Sequence, residues 1–349
     1  MNILQIINSS GLGGAETIVK KILEINKSHK CFCLFRDGKN RFEDFNDRVY
    51  YGLNKKGSYK FNIFIFLKLY KIIKDKRIDI IHVHLGISLL YGAFIKIFRP
   101  SIILIYHEHG EIYYNTKLKY FLRLFNKIVN KFIAVSETTK TELIKKSKIK
   151  QCKVTVIYNY VDLESFNKSN NNEYKKHFNI GFVGRVTKIK GLDILIESLL
   201  LLDFKYTMYI AGDGDMLSFY KKMVKNLGIE KKVFFLGYVN NIIDIYNKFD
   251  ICICSSYSEA FPLSIIEAQA SGVPVIASNI SSINEIIIDG NTGLLFKVGD
   301  KRDLANKINK IYYNRKLYEF VKENAIKNVR KKYSLNRFML SIQKVYYDI

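Results

Sequence analysis

Cysteine is scarce in this 349-residue chain: five residues, an odd number, with no C-x2-C spacing among them. That argues against a disulfide framework or a ribbon-type zinc site and fits a reducing compartment. Four of the five fall as Cys31-Phe32-Cys33 and Cys252-Ile253-Cys254 on predicted strands. Alternate strand residues share a face, so each pair is expected to pack in a core. Long apolar runs are missing as well. The stretch from Phe61 to Leu69 is interrupted by Lys68 and is far too short to span a bilayer. The opening Met1-Asn2-Ile3-Leu4-Gln5-Ile6-Ile7-Asn8 carries no charged leader and reads as a first strand, not a signal peptide. Acidic residues are few, 32 against 56 Lys and Arg, leaving a formal charge of +24. The excess leans toward the first half, with 29 basic against 14 acidic residues in positions 1–166 and 27 against 18 in the rest. Such a field attracts anionic partners, and an anionic membrane surface, a nucleic acid or no specific partner are the alternatives. No RRM-type strand with basic and aromatic residues accompanies the charge, which disfavours nucleic acid.

What is present is the composition of a folded protein: 48% of residues are hydrophobic. Strand-like and helix-like stretches alternate from the first residue, as in an α/β protein with parallel sheets, and the length accommodates two domains. The stretch Ser258-Glu259-Ala260-Phe261-Pro262-Leu263-Ser264-Ile265-Ile266-Glu267-Ala268 is the most informative. An apolar, β-prone run from Phe249 to Cys254 precedes it. Leu263 to Ser271 has helical spacing, with Pro262 at the first position and Gly272 as a stop. Free N–H groups at such a helix start form a site for a diphosphate. Carboxylates on either side, Glu259 in the loop and Glu267 on the second turn, can each accept two hydrogen bonds from a vicinal diol. Nucleoside diphosphate sugars have that shape.

Glu259 to Glu267 resembles the E-x7-E pattern of the family-4 retaining glycosyltransferases. Three further segments follow that family's order: Gly13-Gly14-Ala15-Glu16 its first loop, Gly184 to Gly191 its donor-phosphate segment, and Ile210-Ala211-Gly212-Asp213-Gly214 its next strand end. The resemblance implies a GT-B fold, two Rossmann-like domains facing across a cleft, over residues 1–166 and 173–332. A last helix at 333–349 would return to the first domain. It implies transfer of a sugar from a nucleotide donor, with a UDP-sugar favoured, to a glycan or lipid-linked acceptor with retention and without a metal or cofactor. The expected setting is the cytoplasm, peripheral to the membrane, in cell-surface glycan assembly.

Residue by residue, the resemblance puts Arg185 and Lys190 on the departing diphosphate, where two cations replace a divalent metal. Gly13, Gly14, Gly184 and Gly212 would let backbone approach the donor. The backbone at Val239 would contact the base, and Phe261, Pro262 and Leu263 would carry the helix start. Glu267 would hold the ribose and Glu259 the transferred sugar. His109, followed by Gly110, matches the family's sugar-facing histidine better than His107 does. His82 is expected in the core and His84 is a candidate for the cleft wall. Four histidines could suggest a metal, but they are i,i+2 pairs at strand ends.

Departures are Tyr160 where the family has Gly, and Ser281-Ser282-Ile283-Asn284-Glu285 where it has a Gly-Gly-x-Pro-Glu pattern. Rival readings are a nucleotide-sugar epimerase on the same fold and a phosphorylase, which would need a lysine site for pyridoxal phosphate and a much longer chain. A dinucleotide fingerprint aided by Asp37 is disfavoured because glycines 11, 13 and 14 do not give G-x-G-x-x-G. The basic amphipathic stretches Lys55–Arg77 and Leu118–Lys131, the latter read as a helix, are expected either to touch anionic lipid or to be ordinary solvated faces.

Overall fold

The computed structural model describes residues 1–11, 13–35, 42–45, 47–53, 61–110, 112, 115–166 and 177–348. Asp37, Glu111, residues 54–60 of the first basic stretch and the expected linker at 168–172 lie outside the described residues. The chain divides into two compact units, residues 1–159 with 338–349, and residues 160–337.

The first unit runs β1 (Ile3–Ser9), α1 (Gly14–Ile25), β2 (Lys30–Phe35), β3 (Val49–Leu53), α2 (Ile63–Asp75), β4 (Ile80–His84), α3 (Gly86–Phe98), β5 (Ile103–Glu108), α4 (Thr116–Phe125), β6 (Lys131–Ala134), α5 (Glu137–Ser147) and β7 (Val154–Val156). All seven strands are parallel in the order β3-β2-β1-β4-β5-β6-β7, a doubly wound sheet whose order reverses between β1 and β4. The alternation of side chains gives its two faces different chemistry. Leu4, Ile6, Phe32, Leu34, Ile81, Val83, Leu104 and Tyr106 line one face and belong to the main apolar core. The opposite face carries Gln5, Ile7, Cys31, Cys33, His82, His84 and His107, all fully buried.

The second unit runs α6 (Leu163–Phe166), β8 (Phe178–Val183), α7 (Leu192–Ser198), β9 (Tyr206–Ala211), α8 (Leu217–Asn226), β10 (Val233–Gly237), α9 (Ile242–Tyr246), β11 (Ile251–Cys254), α10 (Leu263–Ala270), β12 (Val275–Ser278), α11 (Ser281–Asn284), β13 (Leu294–Phe296), α12 (Lys301–Tyr313) and α13 (Arg315–Lys332). Its six parallel strands order as β10-β9-β8-β11-β12-β13, so the reversal falls between β8 and β11. The last helix, α14 (Leu335–Tyr347), buries Phe338, Met339, Ile342, Val345 and Tyr346, and from Phe338 onward it belongs to the first unit. Tyr346 reaches Gln5 and His82 on the polar face of the first sheet.

Three local expectations shift. Strand β5, expected from the apolar run Ile102 to Tyr106, extends through His107 and Glu108, because β6 continues the ladder beside it with His107 opposite Ile133 and Glu108 opposite Ala134. The helix expected over Leu118–Lys131 stops at Phe125. Asn130 must pair with β5, its N–H donating to Leu104 O at 2.9 Å and its Oδ1 accepting from Leu104 N at 2.9 Å, and a continued helix could not deliver it there. Pro262 is the N-cap of α10 and not its first helical residue. The paired cysteines 31, 33, 252 and 254 are buried in the two sheets. Among the described residues no helix is long and apolar enough to cross a membrane.

Candidate active site

In open parallel sheets ligands bind beyond the carboxyl ends of the strands where the strand order reverses. In the second unit that point lies between the ends of β8 and β11, which release the loops carrying Gly184 to Gly191 and Ser255 to Pro262. Backbone crowding explains the glycines here. Gly212, after β9, has φ 141°, and a Cβ there would lie 1.8 Å from the Gly184 carbonyl oxygen. Gly191, at φ 60°, would place a Cβ 2.2 Å from Ser255 O. Only residues without a side chain allow the three loops to stack this closely.

The two cations of the first loop have different surroundings. Arg185 is exposed, and among the described residues it makes no ion pair. Lys190 is engaged: its Nζ lies 2.5 Å from Glu259 Oε1, with the two side chains 19% and 11% exposed. Ser256 Oγ donates to the same carboxylate oxygen at 2.6 Å, and Ser282 Oγ donates to the Glu259 carbonyl at 2.7 Å. Thus the segment Ser281–Glu285, which departs from the family pattern, still supports the loop through Ser282. Ser255 Oγ donates to Lys190 O at 3.0 Å and ties the two loops together.

Helix α10 starts at Leu263 beside this pair; Ile265 N–H already donates to Pro262 O at 3.2 Å, and the N–H groups of Leu263 and Ser264 have no carbonyl one turn back within the helix to meet. Phe261 and Pro262 are buried, Phe261 against the Tyr333 ring at 5.5 Å, so their side chains anchor the helix start and only backbone is offered to a ligand. One turn on, Glu267 Oε2 accepts a hydrogen bond from Tyr246 Oη at 3.0 Å. Burial pushes the Glu267 carboxyl up from its ordinary value, and the Tyr246 hydroxyl opposes this by favouring the charged form. Val239 is half-buried in the loop after β10. Arg185, Lys190, Glu259 and the start of α10 therefore rim one switch point of one unit.

In the first unit the reversal between β1 and β4 lies where β1 ends at Ser9, with α1 beginning at Gly14, beside the end of β4 and, next to it, β5. Gly13 is the N-cap of α1, and the Glu16 carboxylate occupies the space a side chain there would need, with a Cβ falling 2.2 Å from Oε2. Gly14 is exposed at the first turn. Ser9 Oγ donates to Glu16 Oε1 at 3.0 Å, closing the loop. Glu108 holds the turn after β5: it accepts from Gly110 N at 2.7 Å, Ile112 N at 3.2 Å and Tyr106 Oη at 2.5 Å.

His109 is half-buried at that turn, whereas His107 is fully buried inside the strand. His84, expected as a wall residue, is fully buried too. Its Nδ1 lies 2.9 Å from His109 Nε2 and its Nε2 lies 2.9 Å from Gln5 Oε1. Ligand atoms of His82, His84 and His107 come within 4.8 Å of one another. A metal would need a lone pair from each ring; both His84 nitrogens are already in hydrogen bonds and His82 Nδ1 is bound to Tyr346 Oη at 2.8 Å, while His82 Nε2 and both His107 nitrogens have no hydrogen-bond partner among the described residues. His82, His84 and His109 are neutral rings tied into hydrogen bonds with Tyr346 and Gln5, whereas His107 only stacks, lying on His109 with ring centroids 4.1 Å apart. Burial lowers His82 and His109 to about 3, and burial with neighbouring rings holds His84 and His107 well below the ordinary value.

Residues 12–165 match the family described as Glycosyltransferase Family 4, and residues 164–328 match Glycosyl transferases group 1. An uncharacterized glycosyltransferase of Methanocaldococcus jannaschii is 30% identical over 80% of this chain and 78% of its own length. The chain belongs to the family-4 glycosyltransferases. This transferase is also similar to the UDP-Gal:alpha-D-GlcNAc-diphosphoundecaprenol alpha-1,3-galactosyltransferase of Escherichia coli, 25% identical over 81% of this chain and 79% of that protein. HepE of Anabaena, solved in complex with UDP-glucose, superposes with a TM-score of 0.88 over all of both chains at 21% identity, which establishes the GT-B fold. The transferase is thus of the retaining, metal-independent class that uses nucleotide-sugar donors. Sequence reasoning missed supporting residues in each unit: Ser256, Ser282 and Tyr246 around the loops of the second, and Gln5 and Tyr346 beside the histidines of the first. None sits in a recognisable spacing; each becomes visible only through the partner it contacts.

Proposed function

We propose that this transferase moves a sugar from a UDP-sugar to a lipid-linked acceptor at an anionic membrane surface, in cell-surface glycan assembly. The observation that carries the donor half is the rim of Arg185, Lys190, Glu259 and the α10 start around one strand-order reversal. As the glycosidic bond stretches, negative charge builds on the diphosphate. Arg185, Lys190 and the N–H groups at Phe261 to Leu263 stabilise it, the Pro262 nitrogen contributing none. The loops at Gly184 and Gly212 bring backbone against the phosphates, and Val239 backbone meets the base. Glu267, aligned by Tyr246, takes the ribose hydroxyls. Glu259 lies on the sugar side, and His109 orients the transferred sugar beside the Gly13–Gly14 loop. Attack comes from the face of departure, with the leaving phosphate accepting the acceptor's proton.

The acceptor half rests on the first unit. A cavity of about 300 Å³ is lined by Asn8, Ile87, Leu90, Lys117, Leu118 and Phe121 among others, so it combines one cation with an apolar wall. Beyond the residues it buries, α4 exposes Tyr120, Phe121 and Leu124 among Lys117, Lys119 and Arg123. Helix α2 likewise exposes Ile63, Phe64 and Leu67, and α3 exposes Ile97 and Phe98. An ordinary amphipathic helix hides its large apolar residues on one face, whereas these helices also present apolar side chains outward beside lysines, as an interfacial surface does. Each basic residue near an anionic bilayer contributes about 1 kcal/mol.

Two measurements test this. In a thermal-shift panel of UDP-, GDP- and ADP-sugars, UDP-sugars alone should stabilise the fold; stabilisation by another base instead overturns the donor assignment. Flotation with anionic vesicles at low salt should carry the protein, and absence from both anionic and neutral vesicles at low and high salt removes the membrane reading.

A further inference from the structure

Between α14 and the ends of β4 and β5 runs a continuous chain of hydrogen bonds: Tyr346, Gln5, His84, His109. We propose that Gln5 and His84 are positioning residues that hold His109 as its Nε2–H tautomer, leaving Nδ1 as a hydrogen-bond acceptor for a sugar hydroxyl. This rests on His109 facing the transferred sugar, as proposed above.

The direction of the chain follows from counting hydrogens. One end of the Gln5 amide has two partners, Tyr346 Oη at 3.1 Å and His29 Nδ1 at 3.4 Å; the other has one, His84 Nε2 at 2.9 Å. Gln5 is fully buried, and an amide nitrogen has two hydrogens to place where the oxygen needs one partner. The NH2 end therefore faces Tyr346 and His29, and Oε1 faces His84. Oε1 can only accept, so His84 carries its proton on Nε2. His84 is neutral because burial disfavours its charged form, and its Nδ1 is then a lone pair. The 2.9 Å contact from His84 Nδ1 to His109 Nε2 requires the hydrogen to be on His109. His109, lowered to about 3 by burial, is neutral as well, so its Nδ1 is unprotonated. That nitrogen has no partner among the described residues.

Reversal of any one bond would reverse all of them, presenting an N–H at Nδ1 in place of a lone pair. The tautomer at the sugar is thus set two residues away, at an amide on β1. Tyr346 fixes that amide from α14, and its own hydroxyl hydrogen goes to His82 Nδ1 at 2.8 Å.

The test reads the rings directly. Long-range ¹H–¹⁵N correlation of ¹⁵N-histidine-labelled, donor-free protein should show His109 with a protonated Nε2 and a pyridine-type Nδ1. Gln5→Met and His84→Phe should move His109 toward a mixture of tautomers. His84→Asn, whose side-chain oxygen can stand near the lost Nδ1, should restore the wild-type pattern. In both disruptive variants kcat should fall about tenfold, the equivalent of one neutral hydrogen bond, with a smaller change in donor KM. A wild-type His109 protonated at Nδ1 overturns the proposal even where variants fail to fold, as does a tautomer unmoved by both substitutions. Full turnover in His109→Ala would instead sink the placement of His109 at the sugar and leave the ring data standing.

Discussion

Replacing Lys190 by Met separates its two duties, since the ammonium both meets Glu259 at 2.5 Å and is assigned to the diphosphate. The stem is retained and the charge removed. Without ligand, Glu259 keeps only the Ser256 hydroxyl on that oxygen, 2.6 Å away. Breaking a fully buried pair costs about 3–5 kcal/mol, and an exposed pair up to about 1. With side chains 19% and 11% exposed, the pair lies between these limits, so about 2 kcal/mol is expected. In a domain of this size that lowers the unfolding midpoint by about 4–8 °C. Adding Glu259→Gln removes the unpaired charge and should recover about half of the loss, a positive coupling in a double-variant cycle. In turnover, Lys190→Met should fall by about 10²–10³, the scale of one lost charge-stabilising donor. The assays are thermal unfolding by circular dichroism and steady-state UDP release. Turnover within threefold of wild type in a folded Lys190→Met protein would show that the lysine only holds Glu259. Strictly additive stabilities would show that the contact is not an energetic pair.

The two carboxylates should separate by role: Glu259→Gln lowers kcat more than it raises donor KM, whereas Glu267→Ala mainly raises donor KM, and steady-state kinetics of both variants decides it. Because burial raises the Glu267 pKa, the folded state binds its proton more readily, and stability falls as pH rises through the window above the ordinary carboxyl value. Glu267→Gln should therefore raise the unfolding midpoint at pH 7 while weakening donor binding; a lower midpoint argues against this. Gly212→Ala, with its Cβ 1.8 Å from Gly184 O, should cost more than about 3 kcal/mol by urea unfolding, since neither backbone segment can yield cheaply. The buried histidines give an opposite pH trend. His29 is lowered to about 4, and His82 and His109 to about 3, so their contribution is complete above pH 6.5 and is lost as pH falls toward those values. Each adds up to about 1.4 kcal/mol per pH unit, and a midpoint flat from pH 7 to 4.5 would contradict their neutral burial.

The sequence by itself determined the family, the two parallel-sheet units and the glycine-bearing loops at the strand ends, because these rest on local signals. Period-2 apolar runs place strands, Gly272 at φ 71° ends a helix, and Gly212 marks a place where backbone meets backbone. The positions of Arg185, Lys190 and Glu259 around one loop cluster follow from short segments whose spacing is readable along the chain. Tertiary structure alone decided what those residues touch. That Lys190 pairs with Glu259 depends on two loops 69 positions apart, and that Tyr246 holds Glu267 depends on α9 lying against α10. The length of α4 was decided by Asn130 pairing with Leu104, a demand that helical propensity does not see. The histidine layer makes the distinction clearest. The i,i+2 spacing put each pair on one strand face, but parallel register set Gln5 beside His82 and His84 beside His107, and a helix more than 300 positions along the chain from Gln5 brought in Tyr346. Hydrogen-bond direction is a property of that closed set of partners, so no segment of the chain carries it alone.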